Sequence, residues 1–308
     1  MTRPHLALVG PTASGKSSLA LAAARVLGDV EIVSIDSMQV YRGLDIGTAK
    51  PSVAERAMIP HHLVDVADPG DEWSVARFQS AARAAVADIE RRGRRALLVG
   101  GTGLYVQAVV DPLTFPPEDR DVRAELEAAT DTPEGLADAH AELKKLDPVA
   151  AAGMEPGNRR RITRALEVIR ITGRPFSSFG AGLARYGTPC FSVRMAGVWL
   201  PRPALAARIV ARVTAMRDAG FVEEVRGLRA RGELSRTARQ AIGYREVLAH
   251  LEGREPSLEV ALDAVATRTR AFARRQRMWF RRDPRIDWFA APADSRPLLP
   301  ALLAHWDK

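Results

Sequence analysis

The eight residues Gly-Pro-Thr-Ala-Ser-Gly-Lys-Ser, from Gly10 to Ser17, constrain the fold of this 308-residue chain more than any other stretch. They fit the pattern G-x-x-x-x-G-K-[ST], in which Gly10 and Gly15 allow the backbone to turn its N–H groups inward around a phosphate. Lys16 adds a full positive charge, and the Ser17 hydroxyl is a ligand for Mg²⁺. Pro11, Thr12, Ala13 and Ser14 complete the expected cradle. Such a loop needs a buried strand before it and a helix N-terminus after it. Both are present: the apolar run at 5–10 precedes it, and 14–28 reads as a helix stopped by Gly28. The pattern alone leaves open whether the phosphate is transferred, hydrolysed or released.

The segments that follow fit such a core. Residues 31–36, 61–66 and 95–101 read as strands. Between them, 74–93 is an amphipathic helix with Val75, Phe78, Ala82 and Val86 on one face and Gly93 at its end. Strands alternating with helices predict an α/β fold with a parallel sheet covered on both faces. Near Asp111 the pattern changes to a Pro-rich acidic linker, then to helical segments at 120–129, 133–146 and 158–172. Residues 191–200 restore a strand. A helix follows, with Leu205, Ile209, Val213 and Met216 on one face and Gly220 as its stop, and a long helix covers 257–282. The expected organisation is a P-loop NTPase-like core over 1–115 and 190–308, with a mostly helical insertion domain over 116–189.

Charge adds a partner class. The net charge is +8, and eight arginines against one acid, Asp283, lie between residues 268 and 285. A second cluster comprises Arg159, Arg160, Arg161 and Arg164. Clustered arginine suits phosphate forks and base stacking. No apolar run reaches the roughly 20 residues of a membrane span, and the first residues lack a secretory pattern, so a cytoplasmic protein without membrane attachment is expected. The single cysteine, Cys190, excludes an internal disulfide and a cysteine zinc cluster. It is expected to be small and semi-buried. The adjacent His61 and His62 read as structural, and the last 18 residues as weakly ordered.

Hydrolysis is disfavoured, because the strand at 95–101 ends in Gly100-Gly101 without the acid that normally holds Mg²⁺ and the attacking water. Asp65 is a weak substitute. Asp36, at the end of the second strand, lies on the edge where parallel sheets bind ligands. Two readings of it stay open: a group that takes a proton from a nucleophile or coordinates Mg²⁺ through water, and a turn cap.

Seven ordered segments, "GPTASGKS", "DSMQVY", "GLDIGTAKP", "HHLVD", "LVGGTGLY", "RRITRALEV" and "RQAIGYREVLAHLEG", resemble the bacterial tRNA dimethylallyltransferase (isopentenyltransferase) family over residues 5–290. The resemblance implies transfer of a dimethylallyl group from dimethylallyl diphosphate to N6 of the adenine 3′ of the anticodon, position 37, with Mg²⁺ assisting and diphosphate leaving. It implies Asp36 as the base. Lys16, Ser17 and Arg212 would act on the diphosphate, although Arg208 has an equal claim by spacing. It also implies tRNA contacts at Asp36, Ser37, Met38, Gln39, Thr102, Arg123, Arg159, Arg160, Arg161, Ile162, Thr163, Gln240, Gly243, Tyr244, Arg245, Arg274, Arg277 and Arg281, with the anticodon stem-loop as partner and a monomer as the working form. A P-loop small-molecule kinase using ATP and a prenyltransferase of free adenine nucleotides are the rival readings.

Overall fold

In the computed structural model, which describes residues 3–180, 183 and 186–307, the chain divides into two compact units. One comprises Met1–Pro112 with Thr188–Lys308, and the other Leu113–Gly187.

The first unit begins with β1 (His5–Val9), α1 (Lys16–Leu27), β2 (Val30–Ile35), α2 (Val53–Met58), β3 (His61–His62), α3 (Val75–Arg91), β4 (Arg95–Gly100) and α4 (Gly103–Val110). The second unit supplies α5 (Arg120–Ala129), α6 (Pro133–Leu146), α7 (Pro148–Ala152), α8 (Arg159–Thr172) and the short α9 (Ser177–Gly180). The chain returns to the first unit with β5 (Val193–Trp199), α10 (Arg202–Asp218), α11 (Phe221–Arg231), α12 (Arg236–Arg239), α13 (Tyr244–Leu251), α14 (Leu258–Phe280), β6 (Ile286–Ala290) and α15 (Leu299–Trp306).

The six strands form one sheet in the order β3-β2-β4-β1-β5-β6, and every pairing is parallel. Successive strand side chains point to opposite faces, and both faces are apolar here. Leu6, Leu8, Ile32, Leu97, Val99 and Val198 turn toward α1 and α15, while Ala7, Val9, Val33, Ile35 and Leu98 join the layer containing Phe78, Phe221 and Tyr244. That explains why the strands read as continuous hydrophobic runs.

The second unit has a core of its own, built from Leu126, Leu143, Met154, Ile162 and Leu166. Its helices begin where side-chain caps are available. Asp119 accepts from the Asp121 and Val122 amides, Thr132 from Gly135, and Asn158 from Arg161.

Several expectations need correction. The third strand pairs over two residues only, because Leu63 and Asp65 take positive φ of 62° and 58° and turn the chain away. The sixth strand was not anticipated: Ile286–Ala290 extends the sheet beside β5. The C-terminal segment is not weakly ordered. Its helix α15 buries Leu302 and Trp306 against the layer that contains Leu19 and Ala23 of α1. Cys190 is exposed rather than semi-buried. His62 lies 2.7 Å from Glu31, a carboxylate held at about 2 chiefly by hydrogen bonding from Arg92, against the opposing effect of burial.

Candidate active site

The loop 10–15 wraps the N-terminus of α1. Gly15 has φ of 87° and sits so close to Ser295 that a Cβ would lie 2.2 Å from its Oγ, so only glycine fits. Ala13 also takes the left-handed region, with φ of 65°. For a residue with a Cβ that costs on the order of 1 kcal/mol, a strain of the kind found at ligand cradles. Lys16 lies within this loop, its Nζ donating to the Pro11 carbonyl at 3.4 Å. Its ammonium is pushed down to about 8, chiefly by burial, with the negative charge of Asp36 opposing the shift and the positive charge of Arg212 adding to it.

Asp36 follows β2 directly. Its Oδ1 accepts from the Met38 amide at 2.8 Å and the Gln39 amide at 3.3 Å, forming an Asx turn. The turn-cap reading of Asp36 is therefore realised. It uses one carboxylate oxygen, and Oδ2 has no hydrogen-bond partner among the described residues. Capping and proton transfer are compatible in this geometry.

Two cavities meet at this residue. One, of about 570 Å³, is lined by Gly15, Lys16, Ser17, Lys50, Arg208 and Arg212, among others. The other, of about 290 Å³, has a largely apolar wall that includes Met38, Ile209, Val213, Met216, Ile242 and Phe272, with Ser37, Thr102, Gln240 and Arg275 among its polar members. Thr12, Asp36, Thr48 and Arg212 line both. Thr102 is the N-cap of α4, yet its hydroxyl makes no capping bond.

The structure separates the two arginines that spacing left equal. Arg208 donates from Nε to the Ala13 carbonyl at 2.8 Å and from Nη1 to Ala293 at 3.3 Å, so it braces the loop. Arg212 lies one turn further along α10, at the junction of the cavities. Burial lowers its guanidinium from the ordinary value, against the pull of the Asp36 charge. Two cations, Lys16 and Arg212, thus face one carboxylate in a poorly solvated place, a balance that a multiply charged anion completes. Asp65, the weak substitute for a metal-holding acid, is committed elsewhere: Lys50 and Arg56 both hold it at 2.6 Å.

One residue without a sequence signal joins the loop. Gln276, buried on α14, accepts from the Thr12 amide at 2.8 Å and donates to the Gly101 carbonyl at 2.9 Å. It ties the loop after β1 to the loop after β4. Arg275 beside it, one of the eight arginines between residues 268 and 285, lines the second cavity.

The residues expected on an RNA face divide into three groups. Arg160, Arg161, Gln240, Arg274 and Arg281 are exposed. Others are exposed only in part and committed to the protein. Arg123 forks onto buried Glu167, Arg159 bonds Thr130 and the Glu127 carbonyl, and Arg245 pairs with Glu246 at 3.0 Å. Gln39 donates to the Thr48 and Ala49 carbonyls, and Arg277 stacks 4.9 Å over Trp199. The third group is a correction. Ile162, Thr163, Gly243 and Tyr244 are buried, because α8 turns Ile162 and Leu166 into its unit's core and Tyr244 donates its hydroxyl to Glu224 at 2.6 Å. The side chains of Ile162, Thr163 and Tyr244 therefore pack inside their own units instead of facing solvent.

Comparisons with known proteins find relatives over nearly the whole chain. The sequence pattern of the IPP transferase family matches residues 39–283. The chain is 52% identical to a tRNA dimethylallyltransferase of a Nocardioides species, over 92% of this chain and 90% of that one. It is 50% identical to that of Kineococcus radiotolerans, over 96% and 93%. Among solved structures, the tRNA isopentenylpyrophosphate transferase of Bacillus halodurans aligns over 100% of this chain and 97% of its own, with TM-score 0.69 and 38% identity. A eukaryotic dimethylallyltransferase caught acting on tRNA aligns over 94% and 74%, with TM-score 0.76 and 28% identity.

Proposed function

The chain belongs to the IPP transferase family and is a tRNA dimethylallyltransferase, and from this premise we propose how its site divides the work. The P-loop cavity receives the diphosphate of dimethylallyl diphosphate. The adjoining, more apolar cavity receives the acceptor, the N6 amine of adenine 37 beside the tRNA anticodon. The reaction occurs where the two meet. The observation that carries this reading is the position of Asp36 and Arg212 on both cavities at once.

The chemistry assigns each group a task. An adenine amine is a weak nucleophile because its lone pair is delocalised into the ring. As nitrogen bonds to the prenyl carbon, that carbon's bond to oxygen breaks and the amine proton passes to the Asp36 carboxylate. The departing diphosphate gains charge, which Lys16, Arg212 and the loop amides stabilise more strongly than in the ground state. No phosphoryl group moves, which accounts for a P-loop whose neighbouring strand ends in Gly100-Gly101 instead of an acid. The oxygen donors fit Mg²⁺: the hydroxyl of Ser17 and the carboxylate of Asp36 line one cavity, and hard oxygen ligands are what this ion takes. Bound there, it would help neutralise the leaving diphosphate.

To be methylated, prenylated or otherwise modified, an adenine must leave its stack, and anticodon-loop bases are read splayed out rather than paired. Thr102, Gln240 and Arg275 are placed to meet such a base or its neighbours. Incubation with dimethylallyl diphosphate, Mg²⁺ and either unmodified tRNA or free adenine nucleotide tests the proposal. Prenylated tRNA without ATP consumption is the expected result. Product on the free nucleotide alone, or phosphate transfer from ATP, would overturn it.

We assign the exposed Arg160 and Arg161 of the helical unit to tRNA phosphates. Converting both to Glu is expected to weaken tRNA binding and to reduce the slope of log affinity against log salt by about 1–2. Filter binding between low and moderate salt measures this, and an unchanged slope removes that unit's basic turn from the interface.

A further inference from the structure

The geometry points to Glu224 as a positioning residue for prenyl transfer, acting through Asp36. The inference rests on the reading of Asp36 as the proton acceptor. Glu224 lies in the first turn of α11, outside every phosphate- or RNA-associated motif of the chain. Its carboxylate gathers three successive backbone amides: Asp45 at 3.1 Å and Ile46 at 2.7 Å on Oε2, and Gly47 at 3.3 Å on Oε1. The Tyr244 hydroxyl donates to Oε1 at 2.6 Å. Consecutive amides turned toward one anion make a nest, and here the anion is part of the protein.

The nest fixes the turn at 45–47, which leaves no space for adjustment. A Cβ on Gly47 would fall 2.4 Å from the Tyr244 ring and 2.5 Å from that of Phe221. From this turn a chain of bonds leads to the base. The Thr48 and Ala49 carbonyls accept from Gln39 Nε2 at 3.2 and 3.3 Å, and Gln39 Oε1 accepts from Ser34 Oγ at 2.8 Å. The Gln39 and Met38 amides hold Asp36 Oδ1. An Asx turn fixes a carboxylate only relative to its own next residues. Here the side chain of Gln39 fixes those residues between the end of β2 and the loop that Glu224 holds. Thr48, like Asp36, lines both cavities, so the same loop also supplies part of their walls.

Displacing a reacting group by about 1 Å can cost on the order of 100-fold in rate without affecting binding. In the full-length enzyme, with dimethylallyl diphosphate and unmodified tRNA, Glu224→Ala is therefore expected to slow single-turnover transfer by about 10–100-fold, leaving donor KM and tRNA Kd within about threefold. Gln39→Leu cuts the chain one link nearer the base and should slow transfer to a similar extent. Glu224→Gln retains the side-chain volume and serves if the Ala variant unfolds. The decisive measurement is the double mutant: in an Asp36→Asn background, Glu224→Ala should add less than about twofold, since a residue acting through Asp36 has nothing left to position. A full multiplicative loss there, a loss confined to KM or Kd, or a wild-type rate in a folded Glu224→Gln variant overturns the inference. A wild-type rate in Asp36→Asn alone instead sinks the reading of Asp36 as the base, so the two failures are distinguishable.

Discussion

Asp36→Asn is expected to lower the rate of prenyl transfer by about 100- to 10,000-fold, the range that a positioned general base contributes, while tRNA still binds within about threefold. The choice of Asn matters because Asp36 does two things. Its Oδ1 caps the turn through the Met38 and Gln39 amides, and asparagine offers the same oxygen in the same place. What is lost is the carboxylate's negative charge and, with it, the capacity to take a proton. Asp36→Ala removes both functions and should additionally disturb Met38, which lines the acceptor cavity. A cap without chemistry predicts the opposite pattern, an active Asn variant beside an inactive Ala variant. Single-turnover assays on both, together with tRNA affinities, distinguish the two roles without a further structure.

The two roles of Asp36 also show where sequence reasoning reaches its limit. The phosphate loop was legible because its requirements are local: two glycines, a lysine and a hydroxyl between a strand and a helix. The helices of the insertion were legible for the same reason, since Asp119, Thr132 and Asn158 cap them from within the segment. Strand β6 was not. Ile286–Ala290 has only one fully buried side chain, and its place in the sheet comes from pairing with β5, far away in the chain. Helix α15 was hidden by Pro300 and by its position at the chain end, and its burial depends on α1.

Within the site, the error on Ile162 and Tyr244 was to treat a motif as a surface. Helical period turns Ile162, Leu166 and Ile169 inward while Arg160 and Arg161 stay out, and that signal was present in the residues. Gln276 and Glu224 had no such signal. Each is one polar residue on an amphipathic helix, and each acquires its role from partners remote in sequence: Gln276 stands 264 residues from Thr12, and Glu224 stands 178 from Ile46. Folding brings these contacts about, and no local pattern announces them.

The same remoteness makes Lys16 a reporter for the whole site. Its ammonium is pushed down to about 8 by burial before any ligand arrives, with Arg212 lowering it and Asp36 raising it. A bound diphosphate adds negative charge beside it and must raise that value. The complex therefore binds more protons than the free enzyme in the window above about pH 8, and affinity for diphosphate falls as pH rises through that window. Near pH 8 about half a proton should be taken up per diphosphate bound, seen calorimetrically as a dependence on buffer ionisation enthalpy. Lys16→Met should abolish this uptake and weaken diphosphate binding by about 10- to 150-fold, the worth of one charged hydrogen bond. Asp36→Asn provides the cross-check. Removing the carboxylate that sustains the ammonium should move the uptake to lower pH, even though that variant has lost its chemistry. Uptake that persists in Lys16→Met would assign the proton to another group, and uptake that Asp36→Asn leaves in place would mean that base and cradle do not share one electrostatic field.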